Sequence, residues 1–208
     1  MIEIIAKSFI TEKSIKTVEN LAKILAEKYA SHRNTPDYKG IVELTLYRQL
    51  PILMKLTKDK LAGKRILDLG CGSRNSRYER GTSYEPWFCR GVLEMGVIPT
   101  GIDINGNEGE MFQHHQIDLE GPNEGLLSFL PSRHFDIVTS AGFFSCNGVN
   151  LKGISAYLVP EIERVGKPEA FFVHDESELS TGLSRLHYRL QPKPYALSEK
   201  PLHFLNSP

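Results

Sequence analysis

Three cysteines in 208 residues, Cys71, Cys89 and Cys146, are too few and too scattered for a disulfide framework. They show no C-x-x-C spacing, which argues against a zinc site, and they read as the reduced thiols of an intracellular protein. An excess of either charge is also missing. Lys and Arg number 25 and so do Asp and Glu, for a formal net charge of zero. A general electrostatic grip on nucleic acid needs a basic surface, so nucleic acid is not the expected partner. Long apolar runs are absent, and the opening Met-Ile-Glu-Ile-Ile-Ala-Lys is interrupted by charge. The expectation is a soluble, cytoplasmic protein with no signal peptide, no membrane span and no membrane partner. No internal repeat or low-complexity segment is visible.

What is present suits one domain with a full core and a small helical appendage. Thr11 is placed to cap a helix in which Ile15, Val18, Leu21, Ala22 and Leu25 recur at helical spacing. Turn residues Asn34 and Pro36 break the pattern. A second helix follows on Ile41, Leu44, Tyr47 and Leu50, stopped or kinked at Pro51, with more helix possible through Leu56. Neither helix buries its apolar face alone, so residues 1–60 are expected to form a helical extension packed on the core. From Lys64 onward strands and helices alternate. Candidate strands are Arg65–Leu69, Ile98–Ile102, Phe112–Ile117, Phe135–Ser140 and Ala170–His174. Candidate helices lie at Glu85–Met95, Gly125–Leu130 and Ile154–Val165. This alternation predicts an α/β fold of the Rossmann-like, doubly wound kind, its sheet mainly parallel with helices on both faces and an N-terminal helical extension. Ligands bind such sheets beyond the carboxyl ends of the strands, so the residues just after each strand should carry the function.

Those residues form a pattern. The first strand ends Asp68-Leu69-Gly70-Cys71-Gly72, an acid and then two alternating glycines that let backbone approach a ligand. The second ends Gly101-Ile102-Asp103-Ile104, the third Gln116-Ile117-Asp118-Leu119, and the fourth Thr139-Ser140-Ala141-Gly142. In this order and spacing, Arg65 to Asp175 resembles the class I S-adenosylmethionine-dependent methyltransferases. Asp68, Gly70 and Gly72 match the first motif of that family, while the third glycine position holds Arg74. The resemblance implies a methyltransferase-like domain over residues 61–208 and S-adenosyl-L-methionine as cofactor. It implies that Asp68 and the Gly70–Gly72 backbone, with Leu69 and Cys71, hold the methionine end. It places the ribose hydroxyls on Asp103, beside Ile104. Asp118 then meets the adenine amine, the Leu119 backbone lies against the ring, and Ser140 lies near the reacting end.

A nicotinamide dehydrogenase is the main competitor. Its G-x-G-x-x-G fingerprint would need a third glycine at Asn75, and Asp103 lies further on than the roughly 20 residues expected. A ligand without a pyrophosphate fits better. Methyl transfer from a sulfonium rests mainly on alignment, so no obligatory catalytic residue stands out. The Asp/Asn-Pro-Pro-Tyr signature of amine-directed relatives is missing, and Ser140-Ala141-Gly142-Phe143-Phe144 stands in its place. A small-molecule acceptor is expected. His174-Asp175 offers a general base, with Tyr157 and Cys146 behind it. Arg74, Arg77, Arg80 and Arg90, around Tyr78, Tyr84 and Trp87, form a candidate clamp for an anionic acceptor. Short strands at Leu186–Leu190 and Leu202–Leu205 would complete the sheet. The alternative reading is a non-catalytic protein that keeps the fold and acts as a partner or regulator.

Overall fold

The computed structural model describes residues 10–29, 38–74, 85–121, 125–140, 143 and 151–174. Helix α1, Glu12–Lys28, begins where the sequence places it. The Thr11 hydroxyl accepts from Ser14 N and the Ser14 hydroxyl accepts from Thr11 N, so both orphan donors are satisfied. Its inward face carries Val18, Leu21, Ala22 and Leu25. Helix α2, Tyr38–Leu56, continues past Pro51 to Leu56, the extension that the sequence allows. Ile52, Leu53 and Met54 beyond the proline are all buried. At about 1.5–3 kcal/mol each, their burial outweighs the ~3 kcal/mol that an interior proline costs.

Five strands form one all-parallel sheet in the order β3-β2-β1-β4-β5. They are β1 Arg65–Leu69, β2 Ile98–Asp103, β3 Gln113–Gln116, β4 Phe135–Ser140 and β5 Gly166–His174. Helix α3, Trp87–Glu94, follows β1, and α4, Leu151–Val165, precedes β5. This is the doubly wound, Rossmann-like arrangement, with the strand order reversing between β1 and β4. Alternation along the strands divides the core. Ile66, Ile137 and Val173 join α1, α2 and α3 in one apolar cluster. Leu67, Leu69, Val138 and Phe172 join α4 and Leu126, Leu127 and Leu130 in another.

Three elements differ from the sequence reading. Residues 125–130 form a series of turns, not a helix, although Leu126, Leu127 and Leu130 are buried as a helix would bury them. Strand β3 is only Gln113–Gln116, a short edge strand, and Phe112 sits buried outside it. Strand β5 begins four residues before Ala170 and passes Pro168 where its pairing with β4 is irregular, between Phe135 and Ile137. A proline has no N–H for the ladder, so an irregularity there is expected. The candidate strands Leu186–Leu190 and Leu202–Leu205 lie outside the described residues. Among the described residues no helix is long and apolar enough to cross a membrane.

The amino edge of the sheet is tied by Asp136. Its carboxylate accepts from Arg65 N at 2.9 Å and from Lys167 Nζ at 2.8 Å, with Lys64 Nζ at 3.5 Å. Burial pushes this carboxyl up, but the Arg65 N–H and the two ammonium groups more than offset it and hold it below the usual carboxylate range. A carboxyl depressed in the folded state stabilises the fold above its unfolded pKa, and that contribution fades as pH falls through the folded one. Asp136→Asn should therefore cost about 1.5 kcal/mol at neutral pH. In urea unfolding the gap from the parent should close in acid. A gap that stays constant with pH would exclude the charge as its source.

Candidate functional site

The carboxyl ends of β1, β2 and β3 meet in a hydrogen-bonded cradle. Gly70 and Gly72 both adopt the left-handed backbone, at φ +71° and +86°. That conformation turns the chain back toward β2, where Gly70 N and Cys71 N share Ile102 O at 2.8 and 2.9 Å. Gly72 N then donates to Asp103 Oδ2 at 3.0 Å, and Asn105 N donates to Asp103 Oδ1 at 2.9 Å. The Asp103 carboxylate is thus half-buried and held by two backbone N–H groups. Oδ1 also takes a long 3.5 Å contact from Asn105 Nδ2, while Oδ2 keeps a lone pair for a further donor.

Two residues that the sequence reading does not single out complete the cradle. Asn107 Nδ2 donates to Gly72 O at 2.8 Å, and Ser73 Oγ donates to Gly106 O at 2.5 Å. Both side chains are buried. Together they clamp the far side of the glycine turn, next to exposed Arg74. Asn105-Gly106-Asn107 looks in sequence like ordinary turn chemistry, and only the pairing across 35 residues shows what Asn107 does.

The other expected site residues fall in distinct places. Asp68 is 1% exposed and faces α3, with Cys89 Sγ 3.5 Å from its Oδ2, so it sits beneath the glycine turn and not on its open edge. Leu69 is buried on the opposite face of the sheet, and Ile104 is exposed at the tip of β2. Asp118 is exposed and closes a turn by accepting from Glu120 N at 2.9 Å. Ile117 N donates to Asp103 O and Gln116 Nε2 to Ile104 O, at 2.8 and 3.1 Å, which brings the second and third tips side by side. Leu119 is buried, and its carbonyl accepts from the Tyr157 hydroxyl of α4 at 3.1 Å. Burial, with the charges of Asp118 and Glu120, pushes the Tyr157 phenol up, so it serves as a donor at neutral pH and not as a base. Ser140 ends β4 fully buried.

Three buried polar atoms at and just under this edge, Asn107 Oδ1, Ser140 Oγ and Gln49 Nε2, have no hydrogen-bond partner among the described residues. The Gln49 carbonyl oxygen, reaching from α2, accepts from the Thr139 hydroxyl. Buried polar groups are nearly always satisfied, so such atoms at strand tips suit a ligand with its own donors and acceptors. The space above Gly70 is taken up by Phe143: a Cβ built on Gly70 would lie 2.5 Å from Phe143 Cβ.

Of the side chains suggested for an anion clamp, Arg90 is engaged within the core. Arg90 lies on α3 with a fully buried side chain, its Nη1 2.6 Å from Glu85 Oε2 and its Nη2 paired with Glu110. The guanidinium also lies in the corner formed by the perpendicular rings of Tyr29 and Trp87, 3.9 and 4.3 Å from their centroids. A buried cation needs such partners, and here they take up the side chain that the clamp would have used. Arg77, Arg80, Tyr78 and Tyr84 lie outside the described residues, as do Ala141, Gly142, Phe144, Cys146, the His174 side chain and Asp175. Among the described residues no group of three His, Cys, Asp or Glu is placed to hold a metal ion.

No protein-family model matches the chain. No curated protein matches it either. Several solved structures do align. An S-adenosylmethionine-dependent methyltransferase from Mesorhizobium loti is 20% identical over 59% of this chain and 51% of its own, with a TM-score of 0.39. One from Archaeoglobus fulgidus is 21% identical over 60% and 51%, with a TM-score of 0.37. A ribosomal RNA methyltransferase from Plasmodium falciparum is 18% identical over 62% and 76%, at 0.43. The chain spans about half the length of the first two.

Proposed function

We propose that this protein is an S-adenosylmethionine-dependent methyltransferase acting on a small-molecule acceptor. The observation that carries the reading is the Asp103 carboxylate, held at the tip of β2 beside a doubly left-handed glycine turn and next to the switch in strand order. A carboxylate fixed by Gly72 N and Asn105 N is oriented in advance; Oδ2 keeps an acceptor site for one ribose hydroxyl, and a second hydroxyl would take the place of the long 3.5 Å Asn105 Nδ2 contact on Oδ1. The neighbouring tip presents Asp118, exposed and able to accept from the adenine amine, above the buried Leu119. The Gly70–Gly72 backbone would take the methionine end, with Cys71 and Asp68 beneath it and Ser140 Oγ at its side. When bound, the cofactor supplies an electrophilic methyl group with a good leaving group already attached. The chain's own contribution is then alignment of the acceptor and exclusion of water. Tyr157 is engaged by Leu119 O, so no described side chain is assigned as a base. An anionic acceptor loses support with Arg90, and neutral net charge weighs against RNA.

Asp103→Asn keeps the size and one acceptor but removes the charge. It should weaken binding of S-adenosylhomocysteine and of adenosine alike by about 1.5–3 kcal/mol, roughly 10- to 150-fold. Calorimetric titration reads both ligands, since both carry the ribose. Unchanged affinity in a folded variant would remove the assignment. A second reading, a protein that binds the cofactor without transferring its methyl group, is favoured by Phe143 standing over Gly70. Methyl-labelled cofactor incubated with a small-molecule extract separates the two readings: label moving to an extract component supports transfer.

A further inference from the structure

Two helices complete a polar layer just under the carboxyl ends of β1 and β4. Asp68 and Thr139 are register partners on these neighbouring parallel strands, which run about 4.8 Å apart. Their side chains therefore leave the same face of the sheet. It is the face covered by α1, α2 and α3, since Ile66 and Ile137, two residues earlier on each strand, join the cluster those helices form. Helix α3 sets Cys89 against the Asp68 carboxylate, and α2 sets Gln49 against Thr139, whose hydroxyl donates to Gln49 Oε1.

Gln49 is 1% exposed and Thr139 is wholly buried. With Oε1 engaged, Gln49 Nε2 still carries two N–H groups and has no hydrogen-bond partner among the described residues. Leaving a buried amide nitrogen unpaired is costly, and nothing in the packing of α2 calls for it. Leu46, Leu50 and Leu53 fill the same helix layer with apolar side chains. A methionine in place of Gln49 would fill similar space without that cost. A partner that arrives with a ligand accounts for the amide.

We infer that Gln49 Nε2 donates to the carboxylate of the cofactor's amino acid end, beside the Asp68 carboxylate assigned to that end. This rests on the cofactor reading of the same site and adds to it a contact from the N-terminal helices. On that reading the ligand lies along the strand tips in their order, with adenine at β3, ribose at β2 and the methionine end at the glycine turn of β1. The next tip in the sheet is β4. An amino acid carries its ammonium and carboxylate on one carbon, so the groups that hold them must lie about a strand spacing apart. Asp68, and Gln49 on Thr139, meet that condition with opposite chemistry: an acceptor for the cation and a donor for the anion. Helix α2 then does more than cover apolar surface, because it supplies part of the binding site.

The test compares two ligands by calorimetric titration of the full chain. One is S-adenosylhomocysteine, and the other is its decarboxylated analogue, which keeps adenine, ribose, sulfur and amine and lacks only the carboxylate. Gln49→Met removes the donor. It should weaken S-adenosylhomocysteine by about tenfold or more and leave the analogue unchanged. Retained binding of the analogue also shows that the variant is folded. Where Gln49→Met fails to fold, Thr139→Val added to it removes the hydroxyl left unpaired, and the same split between the ligands is expected. No loss of S-adenosylhomocysteine affinity would overturn the inference. An equal loss for both ligands would do so too, since the amide would then act on the fold or on the ammonium. A parent chain that binds neither ligand fails the cofactor reading itself. One that binds both with equal affinity fails the carboxylate contact alone.

Discussion

Arg90→Met is expected to destabilise the protein by about 3–5 kcal/mol, the range for leaving buried charges without their partner. The arginine side chain is wholly inaccessible, and those of Glu85 and Glu110 are only 5% and 4% exposed. Methionine replaces much of the volume between Tyr29 and Trp87 but none of the charge. Two carboxylates then remain in a site of low dielectric, each without the cation that compensated its lost hydration. Urea unfolding at neutral pH reads the loss. Adding Glu85→Leu and Glu110→Leu to Arg90→Met should recover most of the loss, because a buried ion network replaced whole by apolar residues is often neutral. A single variant within about 1 kcal/mol of the parent would show that the three groups are hydrated in solution.

The second large effect is expected at Gly70. Gly70→Val should cost about 2–5 kcal/mol and abolish binding of S-adenosylhomocysteine, since two penalties combine. The backbone there is at φ +71°, which a β-branched residue adopts only under strain. Its Cβ would also start 2.5 Å from that of Phe143. Relaxing the turn breaks the hydrogen bonds that Gly70 N and Cys71 N make to Ile102 O, and with them the approach of Gly72 N to Asp103. Gly70→Ala combined with Phe143→Ala separates the two penalties. Relief of the contact should recover part of the stability, and the residual loss is the cost of the backbone conformation. Full recovery in the double variant would mean that the left-handed turn is not needed.

Much of the frame is legible in the sequence because local rules coincide with it. Short apolar runs ending in an acid or a small polar residue mark β1, β2 and β4, and Thr11 marks a cap, because strand burial and capping are decided within a few residues. Residues 125–130 mislead for the same reason. Their leucines are buried, but the segment takes the form of turns. Pro51 leaves the choice open in sequence, and packing across the helix layer outweighs its local cost so that the helix continues to Leu56.

The candidate site divides along the same line. That Gly70 and Gly72 flank a turn and that Asp103 closes a strand are local facts, set by which residues tolerate a left-handed backbone and which end an apolar run. Partnership is not local. Asp103 meets Gly72 N across 31 residues, Asn107 meets Gly72 O across 35, and Thr139 meets Gln49 across 90. Arg90 reads in sequence as part of a ligand clamp because its neighbours along the chain are charged and aromatic; in the folded chain it is enclosed by Glu85, Glu110, Tyr29 and Trp87. Only the tertiary structure decided these roles, because a buried polar group takes its energy from the partner that packing brings to it, and the chain order does not encode that distance.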